Sequence, residues 1–252
     1  MAAVGSRPRS ESYWSLARSP LHCLIFLLPL LTVYEVGVLW LGGTRPERLR
    51  NGADHWMRSW LQQQGWDTPW LLPILVIGGL LAWQIVGRFP WRIRFDTLIG
   101  MAAESLLFAC VLLLLGQVQE TLFRQYIDPV SMAIPPLNSV GANWASTVSY
   151  MGAGVYEEVL FRLLALPLMF VTLRLFLVPD RWATIAAVLI TSVLFSLAHY
   201  VGSSGDSFTC FSFVFRTLAG CVFCILFVIR GFGITVGSHA AYDVLVGVVL
   251  RP

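Results

Sequence analysis

Charged residues are scarce in this chain, and lysine is absent from it. Only 12% of the 252 residues are charged and 57% are hydrophobic, whereas a soluble domain has roughly 25% charged residues. Several apolar runs reach the ~18–20 residues with which a helix crosses a bilayer. A soluble fold of this size cannot bury so many long apolar helices. The composition therefore excludes an ordinary soluble domain and predicts an integral membrane protein.

The small net charge and the few cysteines exclude further classes of protein. The formal net charge is only +3, and the positive-inside bias of membrane proteins explains so small a basic excess without a nucleic-acid partner. The few cysteines lie in apolar segments, where cysteine acts as a small hydrophobic side chain. Cys221 and Cys224 have a redox spacing, but no βαβ pattern surrounds them. The sequence therefore predicts neither a disulfide framework nor a thiol redox site.

The apolar runs predict an all-α fold, a polytopic bundle of seven transmembrane helices. A basic segment, residues 1–19, precedes a single membrane domain of residues 20–252, expected in the plasma membrane if the host is a prokaryote. The first long connection, Gly42–Pro69, is predicted to be a polar, tryptophan-rich loop. An eighth helix is expected if the second, Gln119–Val148, contains a re-entrant or interfacial segment. The predicted spans are Pro20–Leu41, Trp70–Val86, Asp96–Val118, Ser149–Thr172, Ala183–Val201, Phe208–Ile229 and Phe232–Leu250.

Three ionisable residues occur together on the fourth predicted span. Such side chains cost several kcal/mol inside a membrane and normally face a cavity or a partner. Glu158 and Arg162 are four residues apart, so they can pair along one helix face and stabilise the bundle. Glu157 points about 100° away from Glu158 and lacks such a local partner. A buried carboxylate of this kind suits general-base catalysis on a water molecule.

Two histidines lie on later spans. His239 and Asp243 are four residues apart on the seventh, so the aspartate can orient the imidazole or share a polar cavity with it. His199 lies near the end of the fifth, where a histidine by itself is more often a satisfied core or interfacial residue. A helix rise of about 1.5 Å per residue places Glu157, His199 and His239 at different depths. Boundary shifts of a few residues are expected to bring them level.

Three short motifs thus follow one another on successive predicted spans. They are Glu157-Glu158-x-x-x-Arg162, Phe195-x-x-x-His199 and His239-x-x-x-Asp243. In this order they resemble the CPBP family of intramembrane proteases. That family includes the type II CAAX prenyl endopeptidases and the bacteriocin-processing and bacteriocin-immunity proteins. The protease-like motif region is accordingly residues 149–250.

The resemblance implies roles for the residues of the first two motifs. Glu157, assisted by His199, would activate the hydrolytic water. Glu158 and Arg162 would maintain the shape of the site. In the family a small residue usually follows the arginine, whereas here Leu163 does.

The resemblance assigns the third motif to the oxyanion. His239 and Asp243 would stabilise the negative charge that develops on the substrate carbonyl. The family often has asparagine at the position of Asp243, and a carboxylate donates no hydrogen bond unless it is protonated. Orienting His239 is therefore an alternative role for Asp243.

Two hydrolytic schemes fit these residues. In the first, Glu157 and His199 activate water without a metal. In the second, Glu157, His199 and His239 bind a divalent ion such as zinc, which lowers the pKa of its bound water to about 7. The first is favoured, because the chain has no His-Glu-x-x-His helix and the family resemblance leans the same way.

The sequence therefore predicts an intramembrane endopeptidase of the CAAX prenyl protease type. Its expected partners are the lipid bilayer and a peptide or protein substrate, including one anchored in the membrane. The alternative is a non-enzymatic membrane accessory or immunity-like protein with the same fold, in which the polar cluster is structural. A proton-coupled transporter would also use buried Glu and His residues, but the sequence lacks the inverted repeats typical of that class.

Overall fold

Every regular element of the described residues is a helix, which confirms the predicted all-α class. The computed structural model describes residues 12–126, 144–202 and 205–250. Residues 1–11 of the basic segment lie outside these ranges, as do residues 127–143, the middle of the connection Gln119–Val148 that was considered for an eighth helix. The helices are α1 (Tyr13–Ala17), α2 (Pro20–Gly42), α3 (Gly52–Gln63), α4 (Leu71–Val86), α5 (Phe95–Tyr126), α6 (Trp144–Glu158), α7 (Leu166–Leu175), α8 (Asp180–Ala198), α9 (Cys210–Arg230) and α10 (Phe232–Val244).

Five helices of the described part are long and apolar enough to cross a membrane, so the predicted count of seven is not confirmed. They are α2, α5, α8, α9 and the stretch Phe232–Val249, in which a π-helical turn extends α10. α4 is apolar but has only 16 residues. The fourth predicted span, Ser149–Thr172, lies in a longer helical stretch that a π-helical turn divides into α6 and α7.

That turn, Val159–Ala165, begins directly after Glu158 and has a local cause. Pro167 has no N–H to donate to the carbonyl of Leu163, and its ring crowds that carbonyl. The regular α-helical hydrogen bonding is therefore interrupted just before the proline. Widened turns of this kind are frequent at functional sites.

α10 is the central helix of the bundle. Its residues Phe232–Ala240 are all buried, so neighbouring helices surround it on every side. Two glycines permit the close approach of α5. A Cβ at Gly233 would lie 2.6 Å from Cε of Met101, and one at Gly237 would lie 2.3 Å from Oγ of Ser105. Small residues at this spacing let helix backbones pack closely in membranes.

The surface of α5 has the polarity of a lipid-facing helix. Its residues Leu106, Leu107 and Leu114 are all more than half exposed. By contrast, Ser105 and Gln119 are buried inside the bundle. Apolar side chains outside and polar ones inside are expected where lipid replaces water as the solvent.

The connection predicted as a loop between the first two spans contains a helix, α3. The side chain of Asn51 caps it by accepting a hydrogen bond from the backbone N–H of Asp54 at 2.7 Å. Ala53, Asp54 and Leu61 are buried, and α3 packs against α6. The loop prediction is wrong here because a short helix of mixed polarity produces no long apolar run.

Candidate active site

A cavity of about 740 Å³ lies between α3, α6 and the chain that follows α8. Glu157 and Phe161 line it from the α6 side, and His199 lines it from the end of α8. His55 and Trp56 of α3 also line it. The cavity therefore combines two predicted site residues with a helix from the first half of the chain.

Glu157 is the carboxylate that faces this cavity. Its Oε2 is buried and receives no hydrogen bond from any residue that the structure describes. Nε2 of His199 lies 3.7 Å from this oxygen, and Nε2 of His239 lies 3.9 Å from it. Both distances are too long for a direct hydrogen bond but allow one water molecule to bridge the groups. The structure thus brings the three residues together, while their catalytic roles remain predictions.

His199 presents its Nε2 to Glu157 because its other nitrogen is engaged. Nδ1 lies 2.8 Å from the backbone carbonyl oxygen of Phe195. A carbonyl only accepts, so Nδ1 carries a proton, and Nε2 of the neutral ring keeps its lone pair. The two rings also pack edge to face, with centroids 5.0 Å apart. The Phe-x-x-x-His spacing therefore orients the imidazole from one helical turn earlier.

Glu158 is completely buried and connects two helices. Its Oε2 lies 3.0 Å from Nε of Arg162, which confirms the predicted pair. Its Oε1 lies 2.7 Å from Nδ1 of His239. Glu158 therefore orients the His239 ring by accepting a hydrogen bond from Nδ1–H. The i, i+4 spacing predicts only the arginine partner of Glu158 and not this contact with His239.

Asp243 lies on the other side of the same imidazole. Its Oδ2 is 3.5 Å from Nε2 of His239, the nitrogen that also faces Glu157. Because Glu158 already engages Nδ1, the orienting role considered for Asp243 is filled at that nitrogen. Asp243 instead adds a carboxyl group beside the nitrogen predicted to face the oxyanion.

Arg162 is buried among aromatic rings. Its guanidinium carbon lies 4.5 Å from the ring centroid of Phe195 and 5.2 Å from that of Phe223. Phe223 also stacks on His239, with ring centroids 4.6 Å apart. These cation–π contacts add to the ion pair with Glu158. They make one packed unit of the arginine, the glutamate and the histidine.

A close helix crossing brings α6 to α10. A Cβ at Gly154 would lie 2.7 Å from Cβ of Ala240 and 2.8 Å from its backbone nitrogen. Only glycine at position 154 therefore allows α6 and α10 to pack this closely. Gly154 lies one turn before Glu158 and Ala240 directly follows His239, so the crossing sets the distance between those two side chains.

The fifth span is shifted by three residues, but in the direction opposite to the one expected to level the site residues. α8 runs from Asp180 to Ala198, whereas Ala183–Val201 was predicted, so His199 follows the last helical turn and lies further from the span centre. The helices of a bundle can tilt and end at different depths in a bilayer. A shared midplane was therefore the wrong reference for comparing His199 with Glu157.

A second ionic cluster, not predicted from the sequence, lies beside the site. It is formed by Glu35 of α2, Tyr156 of α6 and residues at and near α3. Two signals were present in the sequence: a lone carboxylate, Glu35, within the apolar run of the first span, and Asp54 and Arg58 spaced four residues apart. Their relation to Glu157 was not visible, because they come from a distant part of the chain.

Three side chains of the site are of types that bind metal ions. Glu157, His199 and His239 offer donor atoms of the types that zinc binds. Among the residues that the structure describes, however, no group of three or more His, Cys, Asp or Glu side chains is arranged to hold a metal. The described residues therefore form no assembled metal site.

Comparison with known proteins agrees with the motifs. Residues 139–245 match the family described as type II CAAX prenyl endopeptidase Rce1-like. This region belongs to the CAAX protease family. All the candidate site residues lie within the match, and residues 1–138 lie before it. The searches of curated proteins and of solved structures gave no match.

The family and the fold together define the class of protein. Five apolar helices in the described part are able to span a bilayer, and the C-terminal region belongs to a protease family. The chain is an integral, multi-pass membrane protein with a peptidase-type domain.

Proposed function

We propose that the chain is an intramembrane endopeptidase of the CAAX protease type. The observation that carries the proposal is the convergence of Glu157, His199 and His239 on one spot at distances that a single water molecule can bridge. This spot adjoins a cavity large enough for a peptide segment. Peptide hydrolysis requires an activated water and a stabilised oxyanion, and the three side chains supply groups for both.

Glu157 is the general base in this proposal. Its Oε2 takes a proton from the water, whose oxygen attacks the carbonyl carbon of the scissile bond. His199 assists by accepting a hydrogen bond at Nε2. The proton held on Glu157 then passes to the leaving amine as the carbon–nitrogen bond breaks. The products are a new carboxyl group and a free amine.

His239 stabilises the oxyanion. With Glu158 engaging Nδ1, its Nε2 is the nitrogen directed at the reacting centre. Because Nδ1–H already donates to Glu158, the His239 ring must be protonated on both nitrogens, as an imidazolium, for its Nε2–H to donate to the negatively charged oxygen of the tetrahedral intermediate. Asp243 adds a second donor when it is protonated.

A second, apolar cavity points to the class of substrate. It has a volume of about 620 Å³ and is lined by apolar residues of α3, α4 and the π-helical turn after α6. Trp56 lines both this cavity and the one beside Glu157. A prenyl or other apolar chain on a membrane-anchored substrate fits such a neighbour to the site. In a prokaryotic host the expected location is the plasma membrane.

The decisive experiment uses the purified full-length protein in detergent micelles. It is incubated with two CAAX peptides, one prenylated and one not, and the fragments are identified by mass spectrometry. We expect cleavage by the wild type and a loss of about 10²–10⁴-fold in kcat for Glu157→Gln and for His199→Ala. Glu120→Gln is the matched control, because Glu120 pairs with Arg124 near the end of α5 and is not among the residues that line the cavity.

The outcomes separate the two functional classes. A folded wild type that cleaves neither peptide favours the non-enzymatic accessory or immunity-like protein. Full activity in Glu157→Gln would rule out this glutamate as the base. Preference for the prenylated peptide would support the assignment of the apolar cavity.

A further inference from the structure

Three successive residues of α6 point in three directions and have different surroundings. Adjacent helical residues are about 100° apart around the axis. Tyr156 faces α2, where its hydroxyl donates a hydrogen bond to Glu35. Glu158 faces α10, where it contacts His239. Glu157 points between them into the cavity, so the residues on either side determine its direction.

The contact of Tyr156 with α2 is buried and specific. Tyr156 is completely buried, and its ring packs edge to face on Tyr34, with centroids 5.4 Å apart. A glycine one turn earlier permits this packing, since a Cβ at Gly152 would lie 2.0 Å from a ring carbon of Tyr34. The helix face that carries Tyr156 therefore has little freedom to rotate.

Glu35 in turn is held by a network that reaches α3. Its Oε1 accepts a second hydrogen bond, from Nη2 of Arg58, at 2.7 Å. Nε of Arg58 donates to Oδ1 of Asp54 at 2.5 Å. Oδ2 of Asp54 accepts from the hydroxyl of Tyr34 and from Nη1 of Arg50, both at 2.7 Å. Two carboxylates and two guanidinium groups are thus paired in a buried, charge-balanced cluster.

Arg50 of this cluster remains charged despite its burial. Burial by itself would lower the pKa of Arg50, but Asp54 and Glu35 raise that pKa overall. The guanidinium therefore stays charged. A buried charge pair is costly to break from one side, so the network holds α2, α3 and α6 in one arrangement.

The network belongs to the part of the chain outside the family match. Glu35, Arg50, Asp54 and Arg58 all precede residue 139, where that match begins. α3 also supplies Trp56 to the wall of the site cavity. The first half of the chain therefore contacts the glutamate site on two sides, through Tyr156 and through the cavity wall.

We propose that Tyr156, held by Glu35, is a positioning residue that sets the direction of Glu157 toward the reacting water. The proposal rests on the endopeptidase function proposed above. Tyr156 does not touch the substrate in this scheme. Its hydroxyl fixes the rotation of α6, and Glu158 fixes it from the opposite side.

The test compares four purified variants with the wild type in the CAAX peptide assay. Tyr156→Phe removes the hydroxyl and keeps the ring on Tyr34. It is expected to lower kcat about three- to tenfold, the equivalent of one hydrogen bond, and to leave KM within about twofold. Glu35→Met, which has no acceptor oxygen and only a weakly accepting sulfur, is expected to lower kcat at least as far. Glu35→Gln retains an acceptor oxygen and is expected to restore part of the loss. Tyr150→Phe, on the same helix, is the control and is expected to retain wild-type kcat.

A double variant provides the sharper readout. If Tyr156 and Glu35 act through their shared hydrogen bond, Glu35→Met changes kcat less in the Tyr156→Phe background than in the wild type. All rates are measured well below each variant's unfolding temperature, so that a loss of folded protein does not lower kcat. A change confined to the unfolding temperature, with kcat unaltered, would assign the contact to stability alone and overturn the proposal.

The remaining outcomes distinguish this proposal from the one on which it rests. An active wild type, an inactive Glu157→Gln and an unchanged Tyr156→Phe overturn only the positioning role. A wild type that cleaves nothing overturns both, since there is then no reaction for which Glu157 must be positioned. A rise in KM with unchanged kcat would place Tyr156 in substrate binding and also contradict the proposal.

Discussion

Replacing Gly154 by alanine tests whether the crossing of α6 and α10 sets the geometry of the site. The new Cβ would lie 2.7 Å from Cβ of Ala240 and 2.8 Å from its backbone nitrogen. Ordinary van der Waals contact begins near 3.4 Å, so the two helices must separate by roughly 0.7 Å. The backbone nitrogen cannot move aside as a flexible side chain can.

Moving α6 away from α10 would first lengthen the contact between Glu158 and His239. Their hydrogen bond is 2.7 Å long, and the same displacement lengthens it to roughly 3.4 Å, beyond the usual range. Crowding of this kind costs about 1–3 kcal/mol of stability. Misplacing reacting groups by about 1 Å can cost 10²-fold in rate. We therefore expect Gly154→Ala to lower kcat about 10- to 100-fold.

The assay measures kcat, KM and the thermal unfolding midpoint in the same detergent. Gly78→Ala is the matched control, because a Cβ at Gly78 of α4 has nothing within 4 Å. A Gly-to-Ala change inside a helix is expected to stabilise the folded protein by about 0.5–1 kcal/mol. For Gly78→Ala we therefore expect no loss of stability and an unchanged kcat. Wild-type kcat and an unchanged unfolding midpoint in Gly154→Ala would refute the reasoning.

Arg162→Leu is expected to lower the free energy of unfolding by about 3–5 kcal/mol, because the Glu158 carboxylate loses its buried cation; an unchanged unfolding midpoint would contradict this. Asp243→Asn is expected to keep kcat within about threefold of the wild type, since an amide donates a hydrogen bond without prior protonation. Asp243→Ala has no hydrogen-bond donor at this position and is expected to lower kcat further than Asp243→Asn does. Equal kcat values in these two variants would argue against a contact with the oxyanion. Treatment with a metal chelator is expected to leave kcat unchanged, and activity that disappears on chelation and returns with zinc would refute the scheme without a metal.

The membrane class and the local pairs could be predicted from the sequence. Apolar runs report directly on lipid-facing helices, because span length is set by bilayer thickness. The pair of Glu158 with Arg162 follows from helical spacing, and the structure has it at 3.0 Å. The order of the three motifs led to the same family that the region of residues 139–245 matches. All these signals are local or simply sequential.

The break between α6 and α7 and the helix α3 could not be predicted in the same way. The π-helical turn at Val159–Ala165 divides a stretch that reads as one apolar run. α3 carries polar and apolar residues in near balance, so a search for apolar runs passes over it. Its stability comes from the buried contacts of Asp54 and Leu61, which exist only in the folded chain.

The sequence by itself determined that this is a helical membrane protein and which polar residues interrupt its spans. Only the tertiary structure decided which of them meet. Glu158 contacts His239, 81 residues away, and Tyr156 contacts Glu35, 121 residues away. Helical periodicity assigns a side chain to a face but not to a partner on another helix. That choice depends on how closely the helices cross, and here glycines at 152 and 154 set the approach of α6 to α2 and to α10.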